Sequence, residues 1–388
     1  MSNQGRERNG SNGGSAGRAL VVSHEASRTG APKVARAVIE ALARVGYDTG
    51  VVHRWGGPFE AELNAAAQHH VLEPFRRSRA LLRRYRQTRR WAVAIETYAA
   101  SSVVRREKPD LVWCNSSLAS CYIKPCQRAG IPVVLHVHEM ATLSAPILAR
   151  YKLVGTPHSF AGVELVACST AAADDLAVTT GVDREFIRVL PSPVDTTAIR
   201  ASGAGIAADP EFVTIAGCGT ANATKGVDYF IKISTALAHE PSVNYRFRWI
   251  GRCDSLGTQS KGFVDFVGEV DDPIPLLAAA DIVLMPSRLD AFPLAVLESM
   301  ALSKPIIGFD VGGIREQLGD AGIVVEPGDT VSMIEAIHKL AGDPELRTRL
   351  GEAAEKRVRM RWDIKGFQTT VAAIASIVTS SKPWVGND

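Results

Sequence analysis

Two carboxylates eight positions apart, Asp290 and Glu298, mark the segment with the strongest chemical signal. Pro293 favours the first turn of a helix, so Asp290 would lie just outside the helix start, where the dipole and the free N–H groups favour negative charge. Such a start suits a phosphate or sugar hydroxyls. Glu298 would lie in an apolar helix, where it needs donors such as a ribose diol. The structural alternative is a capping Asp290 and an incidentally buried Glu298.

The second suggestive segment is the turn 217–226, which consists mostly of small residues and contains Lys225. It follows a predicted strand and precedes a predicted helix. Small residues let the backbone approach a diphosphate closely, and Lys225 adds a flexible positive charge. Because many α/β proteins have a glycine-rich loop at this place, the turn alone does not identify a ligand.

Two histidines end an apolar run in the first half of the chain. Alternation along a strand predicted over 132–138 places His136 and His138 on one face, and Glu139 begins the loop. Histidines in this position are more often structural than functional, so both roles stay open.

The segment 23–31 joins the first predicted strand to a helix. Its His24 and Glu25 could face an acceptor or serve only the loop. The dinucleotide fingerprint GxGxxG is absent.

Short β-branched runs alternate with helical stretches over most of the chain, as in βαβ units with parallel sheets. Strands are predicted at 19–23, 50–53, 111–114, 132–138, 164–168, 187–190, 212–216, 246–250, 264–267, 282–285, 305–309 and 323–325. Residues 191–210 are small, polar and rich in proline and glycine, which indicates a linker. We therefore predict two doubly wound domains, 18–198 and 199–362, with ligands at the carboxyl ends of both sheets around a common cleft.

The two chain ends have different predicted structures. Residues 1–17 are rich in Ser, Asn and Gly, which predicts a disordered tail. Pro344 opens a helix that runs to about Arg361, and a further apolar stripe predicts a helix within 363–388. We expect that last helix to pack back on the first domain.

The composition is that of an ordinary globular protein: 46% of the 388 residues are hydrophobic and 22% are charged. No apolar run approaches the roughly 20 residues that span a bilayer, and the N-terminus lacks the apolar core of a secretory signal. The six cysteines form no CxxC pair, which indicates reduced thiols in the cytoplasm. Cys121 and Cys126 have no second Cys/His pair beside them, so we expect no metal.

Eight arginines fall between Arg76 and Arg90, although the net charge is only +3. They alternate with apolar residues at helical spacing, as in surface helices that touch anionic lipid. A solvated face is the alternative. We expect no nucleic acid partner, because no recognised binding module is present. We expect the protein in the cytoplasm. If the arginine-rich segment touches anionic lipid, the protein would lie on the inner face of the membrane.

Together these segments resemble glycosyltransferase family 4, the retaining family of glycosyl transferases group 1 with the GT-B fold of two Rossmann-like domains facing across a cleft. The resemblance covers nearly the whole chain after the tail. The family's E-x7-E motif appears as Asp290 and Glu298, flanked by the family-like segments 266–270 and 305–313. The resemblance implies transfer of a hexose-type sugar from a nucleotide-diphosphate sugar to a glycan, lipid-linked or small-molecule acceptor, in cell-envelope or exopolysaccharide synthesis.

The resemblance also assigns roles to single residues. The implied donor contacts are Gly30 with the diphosphate, Lys225 with the phosphates, Val270 with the base, Asp290 and the backbone of Phe292 and Leu294 with the sugar, Glu298 with the ribose, and Gly312 and Gly313 beside the nucleotide. His138 would contact the transferred sugar, with His136 as the second choice. Lys225 would stabilise the negative charge of the leaving group.

Two positions depart from the family pattern. Asp290 is one methylene shorter than the usual Glu, and Gly219 and Thr220 stand where members usually have a further phosphate-binding arginine. Arg252, after the next strand, would supply that charge or lie on the surface.

The family implies retention by front-face attack. No DxD motif stands where a metal would bind the diphosphate, so we expect no metal cofactor. Two other functions remain open from the sequence: a nucleotide-sugar epimerase of the same fold, and a non-catalytic GT-B protein that binds glycan or partners.

Overall fold

The computed structural model describes residues 16–74, 89–253 and 263–380. The first lobe contains a seven-stranded sheet. Its strands are β1 (Gly17–Ser23), β2 (Tyr47–His53), β3 (His69–Val71), β4 (Leu111–Asn115), β5 (Val133–Val137), β6 (Val163–Ala167) and β7 (Ile187–Val189). They lie in the order β3-β2-β1-β4-β5-β6-β7, and neighbouring strands are parallel.

The second lobe contains a six-stranded parallel sheet. Its strands are β8 (Val213–Cys218), β9 (Tyr245–Ile250), β10 (Val264–Gly268), β11 (Ile282–Met285), β12 (Ile306–Phe309) and β13 (Ile323–Val325). Their order is β10-β9-β8-β11-β12-β13. The two parallel sheets with helices on their faces confirm the predicted fold class.

Helices connect the strands in both lobes. Those of the first lobe are α1 (Gly30–Arg44), α2 (Glu60–Ala66), α3 (Arg89–Glu107), α4 (Ile123–Arg128), α5 (Ala141–Arg150) and α6 (Thr170–Thr180), with short 3-10 helices at Ser117–Tyr122, Pro157–Phe160 and Arg184–Phe186. The rest are α7 (Thr196–Gly203), α8 (Val227–Leu237), α9 (Ile274–Ala278), α10 (Leu294–Ala301), α11 (Ile314–Leu318), α12 (Thr330–Gly342), α13 (Pro344–Arg361) and α14 (Ile364–Ser380).

The apolar strands are buried because helices cover both faces of each sheet. In β1, Leu20 and Val22 belong to one hydrophobic cluster, whereas Ala19 and Val21 belong to another that includes residues of α1 and α14. This division follows the two-residue period of a strand. The cluster of Leu20 also contains Phe292 of the second lobe, so the hydrophobic core continues from one lobe into the other.

The chain crosses between the lobes at two adjacent places. Val194 donates its N–H to the Trp362 carbonyl at 3.0 Å, and Ile364 donates to the Val194 carbonyl at 3.0 Å. After the second crossing, α14 packs on α1 of the first lobe. Helix α7 packs on α9 and α10 of the second lobe and begins at Thr196, inside the predicted linker 191–210 and a few residues before the predicted start of the second domain at 199.

Most predicted strands have both ends within two residues of the ends of the observed strands. Strand β3 was not predicted, because His69, His70 and Val71 do not form an apolar run. The arginine-rich segment lies outside the described residues, apart from the backbone at the start of α3. Within the described part of the chain, no helix has both the length and the apolar character needed to cross a membrane.

Candidate functional site

The strand order places a crevice at the carboxyl edge of each sheet. The order reverses direction between β1 and β4 in the first lobe and between β8 and β11 in the second. In doubly wound sheets, ligands bind outside the strand ends at this reversal. A pocket lies where the loop after β1 meets the ends of β8, β9 and β10, so both lobes form its walls.

Lys225 and Asp290 form an ion pair on the second-lobe side. The Lys225 ammonium donates to Asp290 Oδ2 at 2.6 Å, and the Ser287 hydroxyl donates to the same oxygen at 3.2 Å. Asp290 is buried, at 8% exposure. The two residues come from the turn after β8 and the turn after β11, so the reversal in strand order brings them together.

Tight turns hold this pair in place. Gly226, at the start of α8, has φ of 71°, and a Cβ there would lie 1.8 Å from the Pro286 carbonyl oxygen. Gly312 has φ of 52°, and a Cβ there would lie 1.8 Å from the Asp290 carbonyl oxygen. Only glycine fits such conformations at this spacing. The backbone at 312–313 thus lies directly against the turn that contains Asp290.

Glu298 pairs with a residue that the sequence analysis did not single out. The Lys33 ammonium, in the first turn of α1, donates to Glu298 Oε1 at 2.7 Å. Glu298 lies in α10 at 7% exposure, and Lys33 lines the pocket. Burial alone would lower the pKa of Lys33, but the Glu298 carboxylate outweighs it and raises that pKa. Lys33 therefore stays charged, and its contact with Glu298 connects the two lobes.

Other contacts also join the lobes around the cleft. Arg28 lies 2.7 Å from Asp271 Oδ1, and the Thr170 N–H donates to Glu316 Oε2 at 2.9 Å. Gly30, the first residue of α1, lies against Leu294, the first residue of α10. The predicted donor residues Gly30 and Leu294 are thus neighbours across the lobe boundary.

The start of α10 has apolar side chains on its core side. Phe292 and Leu294 are buried, and Phe292 stacks edge-on against Trp362 with ring centroids 5.5 Å apart. The structure gives Pro293 the capping position, one residue before the helix. Its carbonyl accepts a hydrogen bond from the buried Gln317 amide at 3.0 Å. Any contact of Phe292 or Leu294 with a polar ligand would therefore use the backbone.

The two histidines of the first lobe have different surroundings. His136 is fully buried and its Nε2 lies 3.1 Å from the Leu190 carbonyl; burial lowers its pKa to about 4, although that hydrogen bond opposes the shift. His138 is partly exposed just after β5, with Nε2 3.2 Å from Asn115 Oδ1. Desolvation of its imidazole ring by the surrounding protein, with smaller effects of His136 and His24, lowers the pKa of His138 well below its usual value. His138 is therefore neutral at pH 7 and lies at the strand ends.

The loop after β1 is ordered around Glu25. Its Oε1 accepts hydrogen bonds from Ser27 at 2.6 Å and Thr29 at 3.1 Å, and His24 lies 3.5 Å away. The hydrogen bond from His24 is the main cause that lowers the pKa of Glu25 to about 2. Glu25, Ser27 and Thr29 line the pocket. The loop thus presents a fixed carboxylate network beside the cleft.

Arg252 and Val270 follow β9 and β10 and line the same pocket. The Arg252 carbonyl accepts from the Ala221 N–H at 2.7 Å, which ties it to the turn that contains Lys225. Arg28 and Lys33 line the pocket from the opposite lobe. Sequence reasoning missed these two cations because neither belongs to a motif; only their position in the loop after β1 and the first turn of α1 could have drawn attention to them.

Two family models match the chain. The model described as Glycosyltransferase Family 4 matches residues 28–198, and the model described as Glycosyl transferases group 1 matches residues 210–343. One covers most of the first lobe and the other most of the second. The junction between the two matches coincides with the structural junction near α7.

Curated relatives agree with this family. N-acetyl-alpha-D-glucosaminyl L-malate synthase of Bacillus anthracis is 41% identical over 95 residues, which are 24% of this chain and 25% of that protein. D-inositol 3-phosphate glycosyltransferase of Thermomonospora curvata is 26% identical over 302 residues, 67% of this chain and 68% of the relative. The chain thus matches a quarter of the first relative's length.

Solved structures share the fold. The Anabaena protein Alr3699/HepE in complex with UDP-glucose aligns with a TM-score of 0.72 and 18% identity, covering 93% of this chain and 100% of the other. Sucrose-phosphate synthase of Thermosynechococcus elongatus aligns with a TM-score of 0.72 and 15% identity, covering 94% and 100%. Because family models match both lobes, the chain belongs to glycosyltransferase family 4, a family of glycosyl transferases.

Proposed function

We propose that this glycosyltransferase takes a hexose-type sugar from a nucleotide-diphosphate sugar and transfers it, with retention of configuration, to an acceptor in the interlobe cleft. The observation that supports this most is the pair of lysine–carboxylate contacts, Lys225 with Asp290 and Lys33 with Glu298, at adjoining edges of one cleft. Carboxylates suit sugar hydroxyls, and ammonium groups suit a diphosphate. Solved structures of the same fold hold UDP and UDP-glucose.

Donor binding in this proposal exchanges partners at both pairs. The ribose hydroxyls take the place of Lys33 on Glu298, and Lys33 turns to the diphosphate. The sugar hydroxyls bind Asp290, with backbone at Phe292 and Leu294, and Lys225 moves to the phosphates. Both lysines then keep a negative partner, which limits the cost of burying them. Val270 lies beside the base, and the backbone at Gly30, Gly312 and Gly313 lies near the nucleotide.

The cations of both lobes would stabilise the leaving group. Negative charge grows on the diphosphate as its bond to the anomeric carbon breaks, and preorganised cations favour that state. Arg252 and Arg28 line the pocket, and the Lys225 side chain lies against Gly219 of its wall. Arg28 and Lys33 would offset the arginine that positions 219 and 220 lack. We propose that these groups act without a metal at the diphosphate.

Retention follows from attack on the face that the diphosphate leaves. The acceptor oxygen forms the new bond to the anomeric carbon, the old carbon–oxygen bond breaks with its electrons on the diphosphate, and the acceptor proton passes to the departing oxygen. His138, neutral and at the strand ends, would contact the transferred sugar. His136 has its ring nitrogen at the Leu190 carbonyl inside the sheet, which favours His138 for this role.

The nucleotide sugar can be identified by thermal shift. A saturating donor should raise the unfolding temperature, since it stabilises the fold by RT ln(1 + [L]/Kd). The stabilising donor is then incubated with the enzyme, first alone and then with candidate acceptors, and nucleoside diphosphate is measured. Transfer would be contradicted if no nucleotide sugar stabilised the fold. It would also be contradicted if the stabilising donor released no nucleoside diphosphate with any acceptor. A new sugar isomer formed without acceptor would indicate epimerisation instead.

We also propose that the enzyme works in the cytoplasm at an anionic membrane surface on a glycan or lipid-linked acceptor of envelope or exopolysaccharide synthesis. This rests on the arginine-rich sequence between Arg76 and Arg90. Electrostatic docking fades beyond the Debye length, about 8 Å at physiological salt, so salt should weaken it. Vesicle co-sedimentation compares anionic with neutral lipid, and the wild type with Arg83, Arg84, Arg89 and Arg90 changed to Gln. Equal sedimentation in either comparison would contradict the docking.

A further inference from the structure

One buried amide joins His138 to the start of α1. Asn115 ends β4 and is fully enclosed, at 0% exposure. Its Nδ2 donates to the Ala31 carbonyl at 2.7 Å, and its Oδ1 lies 3.2 Å from His138 Nε2. Ala31 directly follows Gly30, the first residue of α1. Asn115 thus joins the ends of β4 and β5 to the start of α1, at the carboxyl edge of the first sheet.

The hydrogen bonds of Asn115 fix the position of the proton on the His138 ring. A carbonyl oxygen only accepts, so the amide nitrogen of Asn115 must face Ala31 and its amide oxygen must face the ring. That amide oxygen also only accepts, so Nε2 of His138 carries the proton. The ring is neutral at pH 7, because desolvation holds its pKa well below the usual value. Nδ1 therefore keeps its lone pair and can only accept a hydrogen bond.

A second acceptor fixes the backbone at the same point. The Glu139 carboxylate accepts hydrogen bonds from the N–H groups of His138 and Ser117, both at 3.2 Å, and from the Ser116 hydroxyl. The His136 ring packs against that of His138, with centroids 4.1 Å apart. Because the backbone N–H and Nε2 of His138 both have partners, Nδ1 is the ring nitrogen left for a ligand.

Nδ1 of His138 remains accessible. Within the part of the chain that the structure describes, it has no hydrogen-bond partner, and it does not belong to the enclosed nitrogens such as Nδ1 of His136 and of His24. His138 itself is half-buried, directly after β5. A ligand hydroxyl that reaches His138 therefore finds an acceptor whose lone pair is unused.

We propose that Asn115 is a positioning residue that holds His138 in the tautomer whose Nδ1 accepts a hydrogen bond from a hydroxyl of the transferred sugar. This role rests on the proposed function, because His138 touches a sugar only if the chain transfers one. It also narrows the donor. A hydroxyl can donate to Nδ1, whereas the carboxylate of a uronic acid at that place has only lone pairs and would be repelled. The transferred sugar is therefore a neutral hexose with a free hydroxyl facing His138.

A double-mutant cycle tests whether Asn115 acts through His138. Asn115→Ala should lower kcat/KM for sugar transfer by about tenfold or more in the otherwise unchanged chain. In the His138→Ala background, the same substitution should change kcat/KM by less than about twofold, because the group that it positions is gone. Ser120→Ala is the matched control, since it also deletes a buried hydrogen bond, to the Ser117 carbonyl at 2.6 Å, without touching His138. It should leave kcat/KM unchanged.

Nitrogen NMR of the labelled full chain detects the tautomer directly and does not depend on catalysis. The His138 signals, assigned by their loss in His138→Ala, should show an unprotonated Nδ1 and a protonated Nε2. Asn115→Ala should move Nδ1 toward the protonated range as the two tautomers mix, whereas Ser120→Ala should not. The nucleotide sugar that stabilises the fold should shift the Nδ1 signal, since Nδ1 then accepts a hydrogen bond.

A protonated Nδ1 in the wild type would overturn the proposal, as would an Asn115→Ala loss that persists in full in the His138→Ala background. If circular dichroism shows that Asn115→Ala does not fold, Asn115→Ser replaces it, because a hydroxyl both donates and accepts and selects no tautomer. If the wild type transfers no sugar, the proposed function fails and the role of Asn115 falls with it. A wild type that transfers sugar with Nδ1 protonated refutes the role of Asn115 alone.

Discussion

The cleft contains two lysine–carboxylate pairs of nearly the same length but different origin. Lys225 and Asp290 both belong to the second lobe and lie 2.6 Å apart. Lys33 of the first lobe reaches Glu298 of the second at 2.7 Å. The first pair persists whatever the distance between the lobes, whereas the second exists only when they are close.

This difference separates two tasks in one site. The Lys225 pair keeps a cation next to the position proposed for the diphosphate before any ligand arrives. The Lys33 pair would stabilise the close approach of the two lobes, and it occupies the carboxylate that we propose for the ribose. Donor binding would replace an interlobe contact by a ligand that itself bridges the lobes. Closure and donor recognition would therefore use the same carboxylate.

The largest expected effect is that of Lys225→Ala. Charge on the diphosphate grows as the bond breaks, so turnover should fall more than donor affinity, by about 10²- to 10³-fold. Steady-state kinetics with separate measurement of donor Kd checks this. Lys232→Ala, an exposed lysine on α8, is the control. Equal losses in turnover and affinity would reduce Lys225 to a binding residue.

Glu298→Gln should mainly weaken donor binding. It removes a charged acceptor from buried hydroxyls, which costs about 1 to 3 kcal/mol, or roughly 5- to 150-fold in Kd. Isothermal titration measures the change, and the exposed Glu335→Gln serves as control. Undiminished affinity in a folded variant would refute the ribose assignment and leave Glu298 as a lobe contact only.

Lys33→Met tests the interlobe pair directly. Without donor, the lobes should separate further, so the radius of gyration from small-angle scattering should rise, whereas Lys225→Met should leave it unchanged. Donor affinity should fall by about 3- to 10-fold, because the variant lacks the ammonium group that we propose for the phosphates. Tighter donor binding in Lys33→Met would show that Lys33 only competes for Glu298.

The smallest expected effect is the loss, at alkaline pH, of the stability that the Lys33–Glu298 pair contributes. Burial lowers the pKa of Lys33 in the folded state, but Glu298 raises it by more. The pKa is therefore above its ordinary value of 10.5. Its stabilisation is therefore fully present below about pH 10.5 and is lost as pH rises through the raised value. The stability difference between wild type and Lys33→Met, measured by urea unfolding, should shrink at the alkaline end. A gap that grows with pH would contradict this sign.

Local patterns in the amino-acid sequence were enough to predict most strands and the two-lobed fold. The β-branched runs predicted twelve of the thirteen strands in the described residues and the division into two parallel α/β lobes, because two-sided burial requires continuous apolar strands. The spacing of Asp290 and Glu298, and the turn around Lys225, pointed to the second lobe as the source of key residues. Strand β3 was not predicted because its pairing with β2, and not its own composition, makes it a strand.

Which side chains meet in the cleft depends on long-range packing and could not be predicted from local patterns. Asp290 and Lys225 are 65 positions apart and come together because strand order reverses between β8 and β11. Lys33 and Glu298 are 265 positions apart, and their contact depends on how the lobes face each other. A lysine in a helix has no sequence signal for such a partner, since ion pairs across a cleft have no periodicity. Burial also distinguished the enclosed His136 from His138 at the strand ends.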